Sequence, residues 1–134
     1  MLYSIGYQKM KDPHELVCEL QRFRINVLID VRSKPYGRKF LFNKKRLEPL
    51  LEAAGIRYVW KGDRLGGFSA IEDQAIAKLA EWQKDQAACL MCMEANPDQC
   101  HRKYEIGRRI AVHGVEIRHL PLQAPDPQEN SLFG

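Results

Sequence analysis

Short apolar runs alternate with longer amphipathic segments along the chain, and this alternation predicts strands separated by helices. The apolar runs predict strands over residues 2–5, 27–31, 56–60, 88–92 and 115–120. The amphipathic segments predict helices over residues 13–24, 44–54, 72–84 and 97–113. Each segment between two strands is long enough to hold a crossover helix. The pattern therefore predicts an α/β fold, a single Rossmann-like domain with a mostly parallel five-stranded sheet and helices on both faces.

Polar residues at the predicted helix starts support these boundaries. Asp12 precedes a proline at the first helical position, and Glu15 three residues later predicts a capping box. Asn43 is the predicted cap of the second helix. Cys18 lies beside apolar residues of the first helix, so we expect it to pack in the core.

Composition adds the expectation of one soluble domain followed by a tail. With 134 residues, of which 45% are hydrophobic and 28% charged, the chain can bury a core and does not resemble a membrane span. We expect the domain over residues 1–120 and an extended or disordered tail over residues 121–134, which contain three prolines. Residues 1–5 do not begin a signal peptide, so we expect cytoplasmic residence with reduced cysteines and no membrane contact. The sequence leaves the oligomeric state unknown.

Basic side chains concentrate in the loop between the second strand and the second helix. From Arg32 to Arg46 there are seven basic residues and no acidic one, namely Arg32, Lys34, Arg38, Lys39, Lys44, Lys45 and Arg46. Such a run is either a solvated loop or a surface for an anionic partner, a small molecule or a nucleic acid. Tyr36, Phe40 and Phe42 favour the second interpretation, because aromatic rings can stack on bases or cover a ligand.

Polar and reactive side chains also gather where the predicted strands end. In open parallel sheets, ligands bind beyond the carboxyl ends of the strands, near a switch in strand order. The residues at that edge are Gly6, Tyr7, Asp30, Arg32, Cys92, Glu94 and His119. A helix start at Asn96-Pro97 adds Cys100, His101 and Arg102 in a first helical turn, where backbone N–H groups favour an anion or a thiolate.

Several of these residues have a structural interpretation that the sequence leaves open. Asp30 either acts in a site, or caps a turn and pairs with Arg32. Glu94 orients His101, serves as a general base, or forms a salt bridge to Arg102. His119 is either a site residue or a strand histidine with a satisfied hydrogen bond.

Short motifs at these positions form a combined pattern. They are Ser4-Ile5-Gly6-Tyr7, Asp30-Val31-Arg32-Ser33-Lys34-Pro35, Leu65-Gly66-Gly67, Cys92-Met93-Glu94, Cys100-His101-Arg102 and the last strand with His119. Together they resemble the family called domain of unknown function 488, from Leu2 to Leu120. The resemblance implies a compact α/β domain whose biochemical role is not established. Gly37 departs from the pattern at a position where a serine is expected. The paired glycines Gly66 and Gly67 either approach a ligand or form an ordinary turn.

Several sequence motifs of known enzyme classes are absent, and their absence argues against the corresponding reactions. A Cys-x5-Arg phosphatase or sulfurtransferase loop is not present, because Asp98 stands six residues after Cys92 and Ile106 six residues after Cys100. Neither a Walker loop nor a Gly-x-Gly-x-x-Gly turn follows the first strand. Zinc is a minor alternative with Cys92, Cys100 and His119 as ligands, but the cysteine spacing fits none of the common zinc patterns. No cofactor is therefore predicted.

The leading hypothesis is an enzyme that acts on a phosphate-bearing substrate, a nucleotide or nucleic acid, at the carboxyl edge of the sheet. The predicted catalytic residues are Cys100 as nucleophile or redox centre, His101 or Glu94 as the proton carrier, and Asp30 as an orienting carboxylate. The predicted binding residues are Gly6, Tyr7, Arg32, Arg38, Gly66, Gly67, Arg102 and His119, with the arginines holding the anion. The alternative is a non-catalytic nucleic-acid-binding module that uses the basic loop from Arg32 to Arg46.

Overall fold

A computed structural model describes residues 1–65, 71–94, 96 and 100–120, and at residues 101–103 it describes the backbone. Several predictions lie outside the described residues: the glycines Gly66 and Gly67, the helix start at Pro97, the side chains of His101 and Arg102, and the tail over residues 121–134. None of the described helices is long and apolar enough to cross a bilayer.

Strands and helices alternate as the apolar pattern predicts. The strands are β1 (Leu2–Gly6), β2 (Val27–Asp30), β3 (Arg57–Trp60), β4 (Ala88–Cys92) and β5 (Ile117–Leu120). The helices are α1 (Pro13–Arg22), α2 (Lys44–Ala53), the single turn α3 (Gly62–Leu65), α4 (Asp73–Trp82) and α5 (His101–Ile110). Short 3₁₀ turns cover Phe40–Phe42, Gln83–Asp85 and Ala111–His113.

All strand pairs in the described sheet are parallel, and the strand order is β3-β2-β4-β1-β5. From β1 to β3 the chain steps towards one edge of the sheet, and from β3 to β5 it steps back towards the other. Right-handed crossovers place the connecting helices of these two halves on opposite faces. The predicted α/β fold with a parallel sheet is confirmed.

The helices cover the sheet with two separate layers of apolar side chains. One layer joins α1 and α2 to strand residues of one face, including Leu16, Leu47 and Met91. The other joins α4 and α5 to the opposite face, including Ile76, Ile106 and Leu90. Cys89 packs in the first layer and Cys92 in the second, because side chains three residues apart on a strand point to opposite faces.

Three local predictions are wrong or only partly confirmed. Cys18 is exposed, so the core packing expected from its neighbours in α1 is not observed. Asp12 caps α1 through the His14 amide at 2.7 Å, but Glu15 accepts from the Lys11 amide rather than completing the capping box. Asn43 stands at the N-cap of α2, yet its side chain makes no cap hydrogen bond.

Candidate thiol site at the carboxyl edge of the sheet

The strand order places a topological switch point at the carboxyl edge of β4. After β1 and β2, the two neighbours of β4, the chain crosses to one face of the sheet, whereas after β4 it crosses to the other face. The loops that follow these strands are therefore separated at this edge. Gly6 is in register with Cys92, and the following Tyr7 amide donates to the Cys92 carbonyl at 3.3 Å. Val31 donates to the Met91 carbonyl at 3.1 Å. The ends of β1, β2 and β4 therefore meet at one edge, as predicted.

Two buried thiols lie together at this switch point. Cys92 is the last residue of β4, Cys100 is the N-cap residue of α5, and their Sγ atoms are 2.9 Å apart. The prediction that Cys100 lies inside the first helical turn is wrong, because its backbone is extended, with φ −101° and ψ 100°. Free amides and the positive end of the helix dipole at an N-cap favour a thiolate or another anion.

Glu94 brings a carboxylate next to the thiol pair. One of its carboxylate oxygens and the Sγ atoms of Cys92 and Cys100 all lie within 4.8 Å of one another, and Glu94 itself is half-buried. The Cys92 Sγ is also 3.8 Å from the Glu94 carbonyl oxygen. A carboxylate at this distance can accept a proton from a thiol, and together with two thiolates it offers three ligands to a metal ion.

The position of His119 does not support the minor zinc alternative. His119 lies on the edge strand β5 in register with Ser4, and its Nδ1 shares a hydrogen bond with the buried Ser4 Oγ. β1 separates β5 from β4, so among the described residues the potential metal ligands are Cys92, Glu94 and Cys100 instead. This contact matches the interpretation of His119 as a satisfied strand histidine.

Asp30 and Arg32 form a buried pair at the end of β2. Arg32 donates to Asp30 from Nε at 2.9 Å, from Nη2 at 2.8 Å and from its backbone amide at 3.0 Å. Tyr58 donates its hydroxyl to the same carboxylate, and Arg32 donates from Nη1 to the Tyr7 hydroxyl at 2.9 Å. Asp30 is fully buried and Arg32 is 5% exposed. These contacts match the structural alternative for Asp30, a turn cap paired with Arg32.

Burial and the charge pair shift the pKa values of the surrounding groups. Burial, followed by the negative charge of Asp30, raises the pKa of the Tyr58 hydroxyl. Burial by itself would lower the pKa of Arg32, but the hydrogen bonds and charge of Asp30 outweigh it and raise that pKa. Arg32 therefore stays a cation whose donors are directed at Asp30 and Tyr7, and its predicted role as an anion ligand stays a prediction.

Three residues that sequence reasoning missed complete this cluster. Tyr58 binds Asp30, and Trp60 donates from Nε1 to the Arg32 carbonyl at 2.7 Å. A Cβ atom on Gly62 would overlap the Arg32 carbonyl and lie 2.6 Å from the Trp60 nitrogen, so only glycine fits there. The sequence signal for this cluster was an isolated Asp at the end of an apolar strand. A fully buried carboxylate needs hydrogen-bond donors, and neighbouring strands are the nearest source of them.

Comparison with known protein families gives one result. The family described as Domain of unknown function DUF488 matches the chain over residues 12–73 and 68–104. The chain belongs to this family. The matched segments of the DUF488 domain include Asp30, Arg32, Cys92 and Cys100, so both the charge pair and the thiol pair fall within them. No curated protein and no solved structure matches the chain.

Two further predicted binding residues of the DUF488 domain are Arg38, on the loop after β2, and Tyr7, directly after β1. Arg38 is exposed and lines a hollow of about 330 Å³ together with Lys9 and Lys11. Tyr7 is buried, with its ring stacked on Phe42 at a centroid distance of 4.6 Å. Arg38 is therefore available to an anion, whereas Tyr7 connects the Asp30–Arg32 pair to the base of the loop.

Proposed function

We propose that this DUF488 protein is an enzyme that acts on a phosphate-bearing substrate at the carboxyl edge of its sheet, with Cys100 as the reacting thiol. The observation that carries the proposal is the 2.9 Å separation of the Cys92 and Cys100 sulfurs at the N-cap of α5. A thiol in this setting can be stabilised as a thiolate by the helix dipole and by a hydrogen bond from the second thiol.

Each neighbour of Cys100 has a proposed task. Cys92 donates its S–H to the Cys100 thiolate, and Glu94, within 4.8 Å of both sulfurs, carries the proton away from the site. The backbone amides at the start of α5 bind the phosphate group of the substrate. His101 and Arg102 follow Cys100 directly in α5, and we propose a proton-carrying role for the first and a charge-neutralising role for the second.

The Asp30–Arg32 pair acts on this site indirectly. Its hydrogen bonds to Tyr7 and Tyr58 fix the ends of β1, β2 and β3 relative to one another. We propose that Asp30 is an orienting carboxylate, which holds the loop after β2 so that Arg38 reaches the substrate phosphate. A rigid support of this kind reduces the reorganisation required when substrate binds.

Alkylation of the native protein across pH tests the thiolate at Cys100. The protein is treated with a chelator, labelled with iodoacetamide and mapped by mass spectrometry, so that each cysteine gives its own rate. Exposed Cys18 is the internal reference for a solvent-accessible thiol, and fully buried Cys89 is the reference for a protected one. We expect Cys100 labelling to begin at lower pH than Cys18 labelling. Identical pH profiles, or labelling of Cys100 only after unfolding, would contradict the proposal.

Protection by phosphate tests the substrate class. Inorganic phosphate or a nucleoside monophosphate should slow the alkylation of Cys100 in a saturable way, while the rate at Cys18 stays constant. Chloride at the same ionic strength is the control, because general screening affects both sites. Equal slowing by chloride and phosphate would remove the phosphate site from the proposal.

The second candidate function, a non-catalytic nucleic-acid-binding module, is favoured by the exposed basic loop after β2. Lys34 and Arg38 are exposed on that loop, and Lys44, Lys45 and Arg46 are exposed at the start of α2. If the module alternative holds, oligonucleotides bind with strong salt dependence, while Cys100 behaves like the buried Cys89 in the alkylation experiment. The two experiments together therefore distinguish an enzyme from a binding module.

A further inference from the structure

The loop after β2 exposes aromatic surface that contributes little to the core. Tyr36 is 64% exposed and Phe40 is 57% exposed, and Leu41 beside them is also exposed. The guanidinium of Arg46 lies over the Phe40 ring, 5.2 Å from its centroid. Large apolar side chains that are exposed together mark interaction surfaces more often than isolated ones do. We call Tyr36, Phe40 and Leu41 the aromatic platform.

The loop that carries the aromatic platform is tied to the rest of the fold at several points. Lys39 donates from Nζ to the carbonyls of Gln8 at 2.6 Å and Met10 at 2.8 Å. Asn43 accepts from the Gly37 amide at 2.8 Å, and the Lys44 amide donates to the Pro35 carbonyl at 2.9 Å. Buried Phe42 anchors the far end by stacking on Tyr7. The exposed rings are therefore held in place before any ligand binds, which lowers the entropic cost of binding.

Positive charge borders the aromatic platform at Phe40 and Leu41. Exposed Lys9, Lys11 and Arg38 line a hollow of about 330 Å³ that reaches Phe40 and Leu41. Residues 31–47 contain seven basic side chains and no acidic one. Aromatic rings set within positive charge suit a ligand that alternates flat apolar groups with phosphates.

The platform and the thiol site lie at the same edge of the sheet. The Gln8 amide donates to the Met93 carbonyl at 2.8 Å, which joins the β1 loop to the segment after β4. The same Gln8 carbonyl accepts from Lys39 of the loop that carries the platform. A ligand that spans the platform can therefore extend towards Cys100.

We propose that the aromatic platform and its basic border bind single-stranded nucleic acid, with bases stacked on Tyr36 and Phe40 and phosphates bound by Lys9, Lys11 and Arg38. This inference rests on the proposed function, because it names single-stranded nucleic acid as the substrate class. A duplex is a poorer ligand, since its bases are already stacked inside and only its backbone reaches the charges.

Fluorescence anisotropy with a short labelled oligothymidine and a hairpin duplex of equal charge tests the inference. The single strand should bind more tightly, and its log affinity should fall with log salt by about 0.7 per phosphate contact. Tyr36→Ala and Phe40→Ala should each weaken single-strand binding by roughly 5- to 100-fold without changing the salt slope. Tyr104→Ala is the matched control, because Tyr104 is an equally exposed aromatic residue on α5.

Charge neutralisation supplies the second arm of the experiment. Lys9→Gln/Lys11→Gln/Arg38→Gln should lower the salt slope by about 2, about 0.7 for each lost contact. The matched control is Arg57→Gln/Lys61→Gln/Lys78→Gln, which removes three exposed basic residues from a different groove near β3 and α4. Equal effects of the two triple variants would overturn the inference, because binding would then follow net charge and not this surface.

Three further outcomes would overturn the inference. They are equal affinity for strand and duplex, loss of binding in Tyr104→Ala as large as in Tyr36→Ala, and tighter binding to phosphatidylserine vesicles with the same dependence on Tyr36 and Phe40. The last result would assign the surface to a membrane. The alkylation of Cys100 and its protection by phosphate are measured without oligonucleotide. Failure of oligonucleotide binding with phosphate protection intact therefore removes this inference and leaves the proposed function standing.

Discussion

The carboxylate of Asp30 accepts two hydrogen bonds from the guanidinium of Arg32, at 2.9 Å from Nε and 2.8 Å from Nη2, in the interior of the protein. Both side chains are almost completely buried. A buried pair of this geometry contributes modestly to stability as a pair, because desolvation of both charges offsets their attraction. The loss of one partner is much more costly, since the other charge stays buried without compensation.

Removing the Asp30 charge should therefore destabilise the fold strongly. We expect Asp30→Asn to lower the free energy of unfolding by about 3–5 kcal/mol, measured by urea denaturation. Glu105→Gln is the control, because it breaks an exposed pair with Arg108 at 2.7 Å and should change the free energy of unfolding only slightly. Similar values for the two variants would show that the buried pair does not hold the strand ends together.

Tyr58 should make the protein less stable at alkaline pH. Its pKa is raised in the folded state by burial and by Asp30, so the folded chain holds this proton more tightly than the unfolded chain. The resulting stabilisation is fully present below the unfolded tyrosine pKa of about 10 and is lost as pH rises above it, by up to about 1.4 kcal/mol per pH unit.

The measurement compares urea denaturation of wild type and Tyr58→Phe at about pH 9 and about pH 11. The variant should be less stable at the lower pH, because one hydrogen bond to Asp30 is lost. Between the two pH values it should lose less stability than wild type. Parallel losses in the two proteins would mean that Tyr58 ionises as readily in the folded chain as in the unfolded one.

Gly62 should tolerate no side chain. Its Cβ position overlaps the Arg32 carbonyl and lies 2.6 Å from Trp60 Nε1, the atom that donates to that carbonyl. We expect Gly62→Ala to cost about 1–3 kcal/mol in thermal or urea denaturation. Gly37→Ala is the matched control, because no atom lies within 4 Å of its Cβ position, and it should stay within about 0.5 kcal/mol of wild type.

The sequence was sufficient to predict the fold and the edge that carries the candidate site. Apolar runs of strand length separated by helical periods permit few arrangements once crossovers must be right-handed. The same argument predicted that Gly6, Asp30 and Cys92 lie at one edge of the sheet, because the carboxyl ends of parallel strands lie at the same edge. Local patterns were less reliable at Cys100, which was predicted inside a first helical turn and is instead the N-cap residue of α5.

Contacts between distant strands could not be predicted from local pattern. The hydroxyl of Tyr58 meets Asp30 because β2 and β3 pair in a register that places Asp30 beside Trp60. The pairing of His119 with Ser4 depends in the same way on the register of β5 with β1. Register is set by packing of the whole sheet, so single positions on one strand do not reveal these partners. The exposure of Cys18 shows that helical periodicity also has a limit as a predictor of burial. A residue beside the apolar stripe of a helix can still face solvent.

The thiol pair should form a disulfide when the protein is oxidised. The Sγ atoms of Cys92 and Cys100 are already 2.9 Å apart, so a bond between them requires only a small movement. Diamide should remove one hydrogen from each thiol and be reduced to its hydrazine. The mass of the chain should then fall by that of two hydrogen atoms, and peptide mapping should link the segments that contain Cys92 and Cys100.

A Cys18→Ser background keeps this experiment specific, because Cys18 is exposed and would otherwise link two chains. In that background, Cys92→Ser should prevent the mass change, whereas Cys89→Ser should leave it intact, because Cys89 packs on the opposite face of the sheet. Oxidation should also abolish alkylation of Cys100, and reduction by dithiothreitol should restore it. If the native protein keeps all its thiols in excess diamide, the two sulfurs do not approach closely enough to act together. That result would also contradict the proposed role of Cys92 as hydrogen-bond donor to Cys100.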